Sequence, residues 1–374
     1  MSVRFLPILS NVHIPLIPPH RDFDLMRSML FLLFILLLLS VLPSPAHSQE
    51  PTAEFSVMTW NLEWFYDNET ADNPSRLGRE KSAPSRAQWD WRRDRVAEAI
   101  ATVRPTVVAL QEIESQNVMF FLTRALDRNH GLKYDDYVIK GEDFYTEQDV
   151  ALLATSTTGV RSISRGIVTP SMKSRGFASV SKHAFAVVEV PVNGETELLV
   201  IANCHLRATP EQANLRSRQA RTLSLWLERM VAGVKATRDR PDQPVHVLVT
   251  GDFNTEELAG QISPSSDLGV LMSRGTDDPS DDLVDLHVSI PPAERTTHLL
   301  PGRQFDRILV SKDLVLDSPD IVDLSLRDVV VRSDLNFAGG QDSQEDHWDN
   351  YWSIPDSQRD ISDHNPVLAR FQVR

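Results

Sequence analysis

Residues 245–254 read VHVLVTGDFN, an apolar, β-branched run that ends in a polar Gly-Asp-Phe-Asn sequence. The apolar part, Val245–Thr250, predicts a buried β-strand, and Gly251 marks the point where it ends. Asp252 and Asn254 are two positions apart on an extended segment, so their side chains should point to the same face. By itself an Asp-x-Asn sequence is ordinarily a turn. Its meaning depends on the rest of the chain.

Five further motifs have the same design, a short polar sequence at the end of a β-like run. They are Thr59-Trp60-Asn61-Leu62-Glu63, Leu110-Gln111-Glu112, Asn203-Cys204-His205-Leu206, Phe305-Asp306-Arg307 and Ser362-Asp363-His364-Asn365-Pro366. Together the six motifs supply carboxylates and amides for a hard divalent cation, and histidines for phosphate and proton chemistry. The set indicates a metal-dependent phosphodiesterase or phosphatase.

The six motifs resemble those of the endonuclease/exonuclease/phosphatase superfamily, which has the deoxyribonuclease-I-like fold, over residues 54–374. The resemblance implies an α/β (α+β) fold, a four-layer sandwich of two packed mixed β-sheets flanked by helices. The residue pattern alone indicates only hairpin strands mixed with helical crossovers. Its strongest segments are a hairpin around Asn193-Gly194, a helix over 89–103 and a helix over 210–231, with residues 66–90 as a long loop.

The resemblance implies that Glu112 is the principal ligand of Mg²⁺ or Mn²⁺, with one or two ions bound. A carboxylate at the end of an apolar strand costs free energy unless it is paired or metal-bound, which supports that role. The alternative is a helix cap near Ser115. The amide oxygen of Asn61 would orient Glu112 or the scissile phosphate, and Glu63 and Asp363 would lie near the metal. Mg²⁺ needs few protein carboxylates because it keeps several waters.

The resemblance also implies the roles of the Gly-Asp-Phe-Asn motif. Asp252 would orient or deprotonate the attacking water. Asn254 would donate a hydrogen bond to a non-bridging phosphate oxygen as charge develops.

Two histidines are expected to contact the phosphate. The resemblance implies that Asp306 orients His364, and such a carboxylate partner would fix the tautomer and raise the imidazole pKa. His205 follows an apolar strand, where a histidine is more often a satisfied core residue, and only its match to the family motif favours a functional role. The resemblance also implies a glutamate partner for His205 just before an upstream strand, and Glu147 is the candidate for it.

The overall charge is a weak guide to the substrate. The formal net charge is −14, which disfavours a protein that holds duplex DNA by its phosphates, although a cation and a few arginines can reverse the field at one cleft. Duplex-cutting relatives often carry a basic residue where this chain has Glu114. A nuclease is the first choice. The alternatives are a phosphatase or phospholipid phosphodiesterase (sphingomyelinase-like), and a non-catalytic binding module of the same fold.

The N-terminal segment has the pattern of a secretory leader. Arg27 precedes an apolar run at 29–42, and Ala46-His47-Ser48 forms a small-x-small site. The pattern predicts a leader at 1–48, with 1–25 a start-site artefact, and one domain at 49–374 that begins at Gln49. The mature protein should be periplasmic or extracellular, without a membrane span; the alternative is an anchor formed by an uncleaved leader. No stable protein partner is implied.

Overall fold

The computed structural model describes residues 54–192, 194–316, 324–336 and 347–373. The predicted leader, 1–48, lies outside these residues, as does Asn193 of the predicted hairpin turn. The other turn residue, Gly194, has a φ of +81°, which a tight hairpin turn requires. In the described part of the chain, no helix has the length and apolar character needed to cross a membrane.

Two six-stranded sheets form the centre of the molecule, with the strand orders β11-β12-β1-β2-β4-β3 and β5-β6-β7-β8-β10-β9. The first contains β1 (Glu54–Phe65), β2 (Val107–Ile113), β3 (Tyr134–Ile139), β4 (Asp149–Thr155), β11 (Leu324–Val331) and β12 (Val367–Val373). The second contains β5 (Gly159–Ser164), β6 (Lys182–Val192), β7 (Glu195–His205), β8 (Val245–Asp252), β9 (Leu283–Asp285) and β10 (Asp306–Ser311). Both are mixed, because β1–β2 and β7–β8 are parallel pairs among antiparallel ones.

Seven α-helices lie in the described residues. They are α1 (Arg76–Lys81), α2 (Arg86–Val103), α3 (Gln116–His130), α4 (Pro170–Ser174), α5 (Ala213–Thr237), α6 (Asp267–Met272) and α7 (His347–Tyr351). The helix predicted at 89–103 is α2, which begins earlier because Ser85 caps it by accepting a hydrogen bond from the Gln88 amide. The helix predicted at 210–231 is α5, preceded by a short 3₁₀ turn at Pro210–Gln212.

Alternation along the strands explains the layering. In β1, Phe55 and Val57 pack into a core between the two sheets, whereas Met58 and Trp60 pack on the opposite face against α2 and α3. In β7, Leu199 and Ile201 face the first sheet, whereas Leu198 and Val200 face α5 and α6. The result is helices, sheet, sheet, helices, which confirms the four-layer sandwich.

The sequence prediction was wrong in one long loop and incomplete elsewhere. Residues 66–90 are not a continuous loop, because Ser75 caps α1 and Ser85 caps the start of α2 within that range. Strands β5, β9 and β11 were not predicted. β9 has only three residues, and the burial of β5 and β11 is partial and mixed with exposed positions, so neither of these two shows a clean apolar alternation.

A buried amide pair joins the two sheets directly beneath the motif residues. The Asn203 side chain in β7 donates to the Leu110 and Ala151 carbonyls at 3.0 and 2.9 Å, and accepts from Gln111 Nε2 at 2.7 Å. Gln111 precedes Glu112, and Asn203 lies two residues before His205. The bridge therefore fixes the register at which Glu112 and His205 meet across the sandwich.

Removing this bridge should destabilise the fold. In Asn203→Ala the Leu110 and Ala151 carbonyls lose their buried donor, which should lower the free energy of unfolding by about 1–3 kcal/mol. Urea denaturation measures the change. Asn129→Ala, at an exposed position of α3, is the matched control and should stay within about 0.5 kcal/mol of wild type. Equal stability of the two variants would contradict the role of the bridge.

Candidate active site

Asp252 lies where three strands end side by side. It pairs with His205 of β7 on one side and with Asp306 of β10 on the other. Its side chain is almost fully buried and accepts hydrogen bonds from the Asn254 amide at 2.8 Å, Asn254 Nδ2 at 2.9 Å and Asn61 Nδ2 at 3.0 Å. Burial raises the pKa of Asp252, while the charge on His364 opposes that rise. The carboxylate is thus held in one orientation by three donors.

Gly251 is required where β8 meets β7. Its φ is +130°, and a Cβ there would lie 1.9 Å from the Cys204 carbonyl oxygen. Only glycine permits this close approach of the two backbones.

Asn254 converges with Asp252 as predicted, but through a turn, because its φ is +49°. Both hydrogens of its side-chain amide are donated within the protein, to Asp252 Oδ2 and to the Leu206 carbonyl at 3.2 Å. In this structure Asn254 therefore orients Asp252. Its donation to a phosphate oxygen stays a prediction.

Asn61 links the carboxylates of Asp252 and Glu112. Its Nδ2 donates to Asp252 Oδ2 and to Glu112 Oε1, the latter at 3.2 Å, whereas its oxygen accepts from the Glu63 amide at 2.9 Å. The prediction gave the amide oxygen the role of orienting Glu112. The structure shows the nitrogen in that position, because the Glu63 amide occupies the oxygen.

Glu112 lies partly buried near the end of β2, and its Oε2 accepts from the Trp64 amide at 3.0 Å. Burial raises the pKa of Glu112 to about 7; the charge of Lys182 opposes the rise and that of Asp363 adds to it. The helix-cap alternative does not fit, since Ser115 is the N-cap of α3 and Glu112 contacts β1.

The two predicted histidines differ in charge. His205 Nε2 lies 3.4 Å from Asp252 Oδ2 and 3.8 Å from Glu112 Oε1. Burial lowers the pKa of His205 well below its usual range, and the charges of Lys182 and His364 lower it further. His205 is therefore neutral at physiological pH.

His364 is the cationic member of the pair. Its Nδ1 contacts Asp306 Oδ2 at 2.8 Å, and its Nε2 lies 4.0 Å from Asp252 Oδ2. Burial opposes the charge, but the carboxylates of Asp306, Asp363 and Asp252 together raise the pKa of His364 well above its usual range. The structure thus places Asp306 as the partner that orients His364.

His298 was missed by the sequence analysis and lies against this pair. Its ring packs edge-on to His364 with 4.6 Å between centroids, and its Nε2 lies 3.3 Å from Asp363 Oδ2. Its Nδ1 accepts from the Leu300 amide, so the Nε2 proton points to Asp363. Burial would raise the pKa of Asp363, but His364 and His298 hold it well below its usual range. The sequence gives no motif for His298, which is a single histidine seven residues before Phe305.

Glu63 joins the first motif to the last. Its Oε2 accepts from the Asp363 amide at 3.1 Å and lies 2.6 Å from His347 Nδ1, a second histidine that the sequence analysis missed. Burial and the charge of Asp363 raise the pKa of Glu63, whereas His347 opposes the rise. Glu63 therefore contacts the Asp363 end of the site, and no contact joins it to Glu112 in the described residues.

Arg92 of α2 fixes the backbone at this end. Its buried guanidinium donates to the carbonyls of Leu62, Glu63, Trp64 and Ile361. It thereby ties the first motif to the segment just before Ser362.

Glu147 is not the partner of His205. Its Oε1 accepts from the Ser75 amide at 2.8 Å, and His205 Nδ1 has no hydrogen-bond partner among the described residues. Gly78 of α1 packs against Glu147 so closely that a Cβ would lie 2.5 Å from Oε2. The Glu147 carboxylate is therefore bound at the start of α1, the helix that was missed within the predicted loop.

Strained backbone clusters at the site. In the described ranges, eight non-glycine residues have a positive φ, and four of them are predicted site residues: Glu63 (41°), Glu112 (61°), Glu147 (63°) and Asn254 (49°). Such conformations cost free energy and concentrate where function requires a fixed side-chain position.

The donor set fits a hard divalent cation. Asp252 and Glu63 are buried and Glu112 is partly buried, and burial is the main cause that raises the pKa of each carboxylate. A cation bound to such a carboxylate would relieve the cost of burying its charge. His364 belongs to two further groups, one with Asp252 and Asp306 and the other with His298 and Asp363, and within each group the ligand atoms lie within 4.8 Å of one another. Glu112 would be the principal ligand for Mg²⁺ or Mn²⁺, which oxygen ligands favour.

Glu112→Gln should weaken Mg²⁺ binding at least about 10–100-fold, the effect typical of losing even an indirect contact to a metal. Because a proton competes with the ion for Glu112, wild-type affinity should also fall as the pH drops below about 7. Calorimetric titration measures both effects. Glu98→Gln, at an exposed position of α2, is the charge-matched control. Unchanged affinity in Glu112→Gln would exclude Glu112 as a ligand.

Solved structures similar to this chain share its fold at low sequence identity. An endonuclease/exonuclease/phosphatase family protein from Bacteroides thetaiotaomicron is 14% identical, with a TM-score of 0.52 over 86% of this chain and 99% of that chain. The human Nocturnin catalytic domain is 15% identical, with a TM-score of 0.51 over 86% and 96%. A family protein from Bacteroides vulgatus is 17% identical, with a TM-score of 0.51 over 86% and 99%. No curated protein sequence matches the chain.

The family model described as the endonuclease/exonuclease/phosphatase family matches residues 58–364, a range that contains all six motifs except the last two residues of the final one. The chain therefore belongs to the endonuclease/exonuclease/phosphatase family, a family of enzymes that hydrolyse phosphoester bonds.

Proposed function

We propose that this protein is a divalent-metal-dependent phosphodiesterase that cleaves nucleic acid by in-line attack of water. The observation that carries the proposal is the position of Asp252. Its carboxylate is fixed by Asn61 and Asn254 and lies 3.4 Å from His205 and 4.0 Å from His364. The carboxylate base Asp252 therefore lies close to the neutral imidazole of His205 and the cationic imidazole of His364.

Each residue has a distinct part in this chemistry. Asp252 accepts the proton of the attacking water, held in place by Asn61 and Asn254. His364, charged because of Asp306, offsets the negative charge that develops on the phosphate oxygens, and neutral His205 offers a hydrogen bond to the same group. Glu112 would hold the metal ion, which supplies positive charge to the phosphoryl group when bound.

Nucleic acid is favoured over other phosphodiesters by the aromatic residues around Glu112. Trp64 is only half buried although its amide is bonded to Glu112. Phe144 and Tyr145 are 82% and 73% exposed. Their neighbours in the chain, Asp143 and Thr146, line a pocket together with Glu112. Exposed aromatic rings beside a phosphate site provide stacking surfaces for unpaired bases.

The same exposed pair supports a second candidate. Phe144 and Tyr145 could enter a lipid interface, where amphipathic aromatic rings are favoured, and the substrate would then be a phospholipid diester. A non-catalytic binding module is disfavoured, because Asp252, Asp306 and His364 retain both their chemical groups and their mutual contacts.

A substrate panel separates these candidates. Single-stranded DNA, RNA, plasmid DNA, sphingomyelin vesicles, an inositol phosphate and a chromogenic diester would each be incubated with Mg²⁺, Mn²⁺, Ca²⁺ or chelator. We expect metal-dependent cleavage of single-stranded nucleic acid at the highest rate. Preferential hydrolysis of sphingomyelin would replace the nuclease by the second candidate, and hydrolysis of none of these substrates would contradict both.

A further inference from the structure

A small pocket opens beside the catalytic residues Glu112 and His205. Its volume is about 210 Å³, and Trp64, Lys182 and Arg207 form part of its lining. Pockets that enclose a drug-sized ligand measure roughly 300–1,000 Å³. This one is therefore large enough for one group of a substrate whose reacting phosphate lies next to it.

Lys182 gives the pocket a buried positive charge. It lies at the start of β6, paired with His205. Its Nζ donates to Gln148 Oε1 at 2.8 Å and lies 3.5 Å from Asp143 Oδ2. Asp143 is itself bound through Oδ1 by the Tyr145 and Thr146 amides. An ammonium group has three donors, so one remains for a ligand.

Arg207, two residues beyond the end of β7, adds a second positive charge to the pocket lining. Its side chain is exposed, and within the described ranges its guanidinium has no salt-bridge partner. A planar guanidinium matches the geometry of a phosphate with paired donors.

The backbone of Arg207 is held in place from below. The buried Arg216 of α5 donates to the carbonyls of Arg207 and Thr209 at 3.2 and 2.6 Å, and is itself paired with Asp267 at 2.6 Å. Gln219 accepts from the Arg207 amide at 3.1 Å. The Arg207 side chain thus starts from a rigid support, which lowers the entropic cost of binding an anion.

Trp64 lines the same pocket as Lys182, Arg207 and Glu112. Its amide is bonded to Glu112, and its carbonyl accepts from Arg92 at 2.9 Å, so its backbone is fixed on both sides. Its ring remains partly exposed, with Lys81 Nζ 5.5 Å from the ring centroid. A planar substrate group beside the scissile phosphate would meet this ring.

We propose that the pocket binds a second phosphate of the substrate, the neighbour of the scissile phosphate along a nucleotide chain, through Lys182 and Arg207. Trp64 packs against the base of the nucleotide that joins the two phosphates. This inference rests on the proposed function and narrows it: the preferred substrate carries two phosphates on one nucleoside, and a diester without the second phosphate is a poor substrate.

Equilibrium binding tests the pocket without turnover. Thymidine 3′,5′-bisphosphate, thymidine 5′-monophosphate and thymidine 3′-monophosphate would be titrated calorimetrically into wild type, Arg207→Gln, Arg207→Lys and Arg128→Gln. Wild type should bind the bisphosphate at least about tenfold more tightly than the better monophosphate, as expected for a charge-assisted contact. Arg207→Gln should reduce the ratio to near one, and Arg207→Lys should keep part of it.

Arg128→Gln, which removes an exposed arginine near the end of α3, should keep the full ratio. Equal affinity for mono- and bisphosphate in wild type, or a ratio that survives in Arg207→Gln, would overturn the proposal.

Dinucleotide kinetics separates this inference from the proposed function. The dithymidine diester would be compared with its 5′- and 3′-phosphorylated forms, with kcat/KM as the readout. We expect one phosphorylated form to be preferred by wild type and the preference to disappear in Arg207→Gln. Cleavage without a preference would refute the pocket and leave the nuclease intact. No cleavage, together with tight bisphosphate binding, would refute the nuclease and leave the anion pocket standing.

Discussion

Asp252→Asn should reduce kcat by at least about 10²–10⁴-fold, the usual contribution of general-base catalysis. The substitution removes the carboxylate that three donors hold next to both His205 and His364. It preserves the shape of the side chain, so KM should change little, because the base acts mainly in the transition state. Steady-state kinetics on the preferred substrate from the panel would measure both values.

The control is a neutralised aspartate away from the site. Asp242→Asn removes the same charge at an exposed position and should retain wild-type kinetics. Circular dichroism should show that Asp252→Asn is folded. A folded Asp252→Asn protein with more than a tenth of wild-type kcat would show that another group is the base.

His364→Ala should damage both substrate binding and turnover, because it removes the buried cation to which the proposed mechanism assigns the phosphate contact. The loss should reach about 10²-fold or more in kcat/KM, within the range for acid–base and charge-stabilising residues. Asp306→Asn should have the same effect in milder form, since Asp306 acts through its 2.8 Å contact with His364 Nδ1. Kinetics of the two single variants and the double variant would measure these losses.

Two readouts distinguish orientation by Asp306 from a general loss of structure. The double variant should be little worse than His364→Ala alone, because coupled residues act as a unit. Carboxylates raise the pKa of His364, so the cation is present at neutral pH and activity should fall as the pH rises through that pKa. Asp306→Asn should move this alkaline limb to lower pH. Fully additive losses with an unmoved pH profile would rule out the pair.

The sequence predicts the fold where burial is uniform. β8 is a largely apolar, β-branched run, and α2 has helical spacing bounded by Arg104-Pro105. Both were found within a few residues of their predicted limits. The edge strands β5 and β11 escaped detection, because half-exposed strands have no strong periodicity. The sandwich itself follows from the resemblance, since sequence pattern does not show which faces of two sheets meet.

The sequence predicts which residue types the site contains better than it predicts their partners. Asp306 and His364 are in contact as expected. Glu147, in contrast, is bound by Ser75, because a helix forms in a segment that was predicted to be a loop. His298 and His347 reach the site from segments without a recognisable motif. Such partners depend on tertiary packing, which a single sequence does not encode in any local pattern.

The most direct test of metal-dependent water attack is hydrolysis of a single-stranded oligonucleotide in H₂¹⁸O, followed by mass analysis of the products. The account predicts one ¹⁸O atom per cleavage, located on the product phosphate, with Mg²⁺ or Mn²⁺ present and no products with chelator. Label on the sugar hydroxyl, products without label, or equal cleavage in chelator would contradict it.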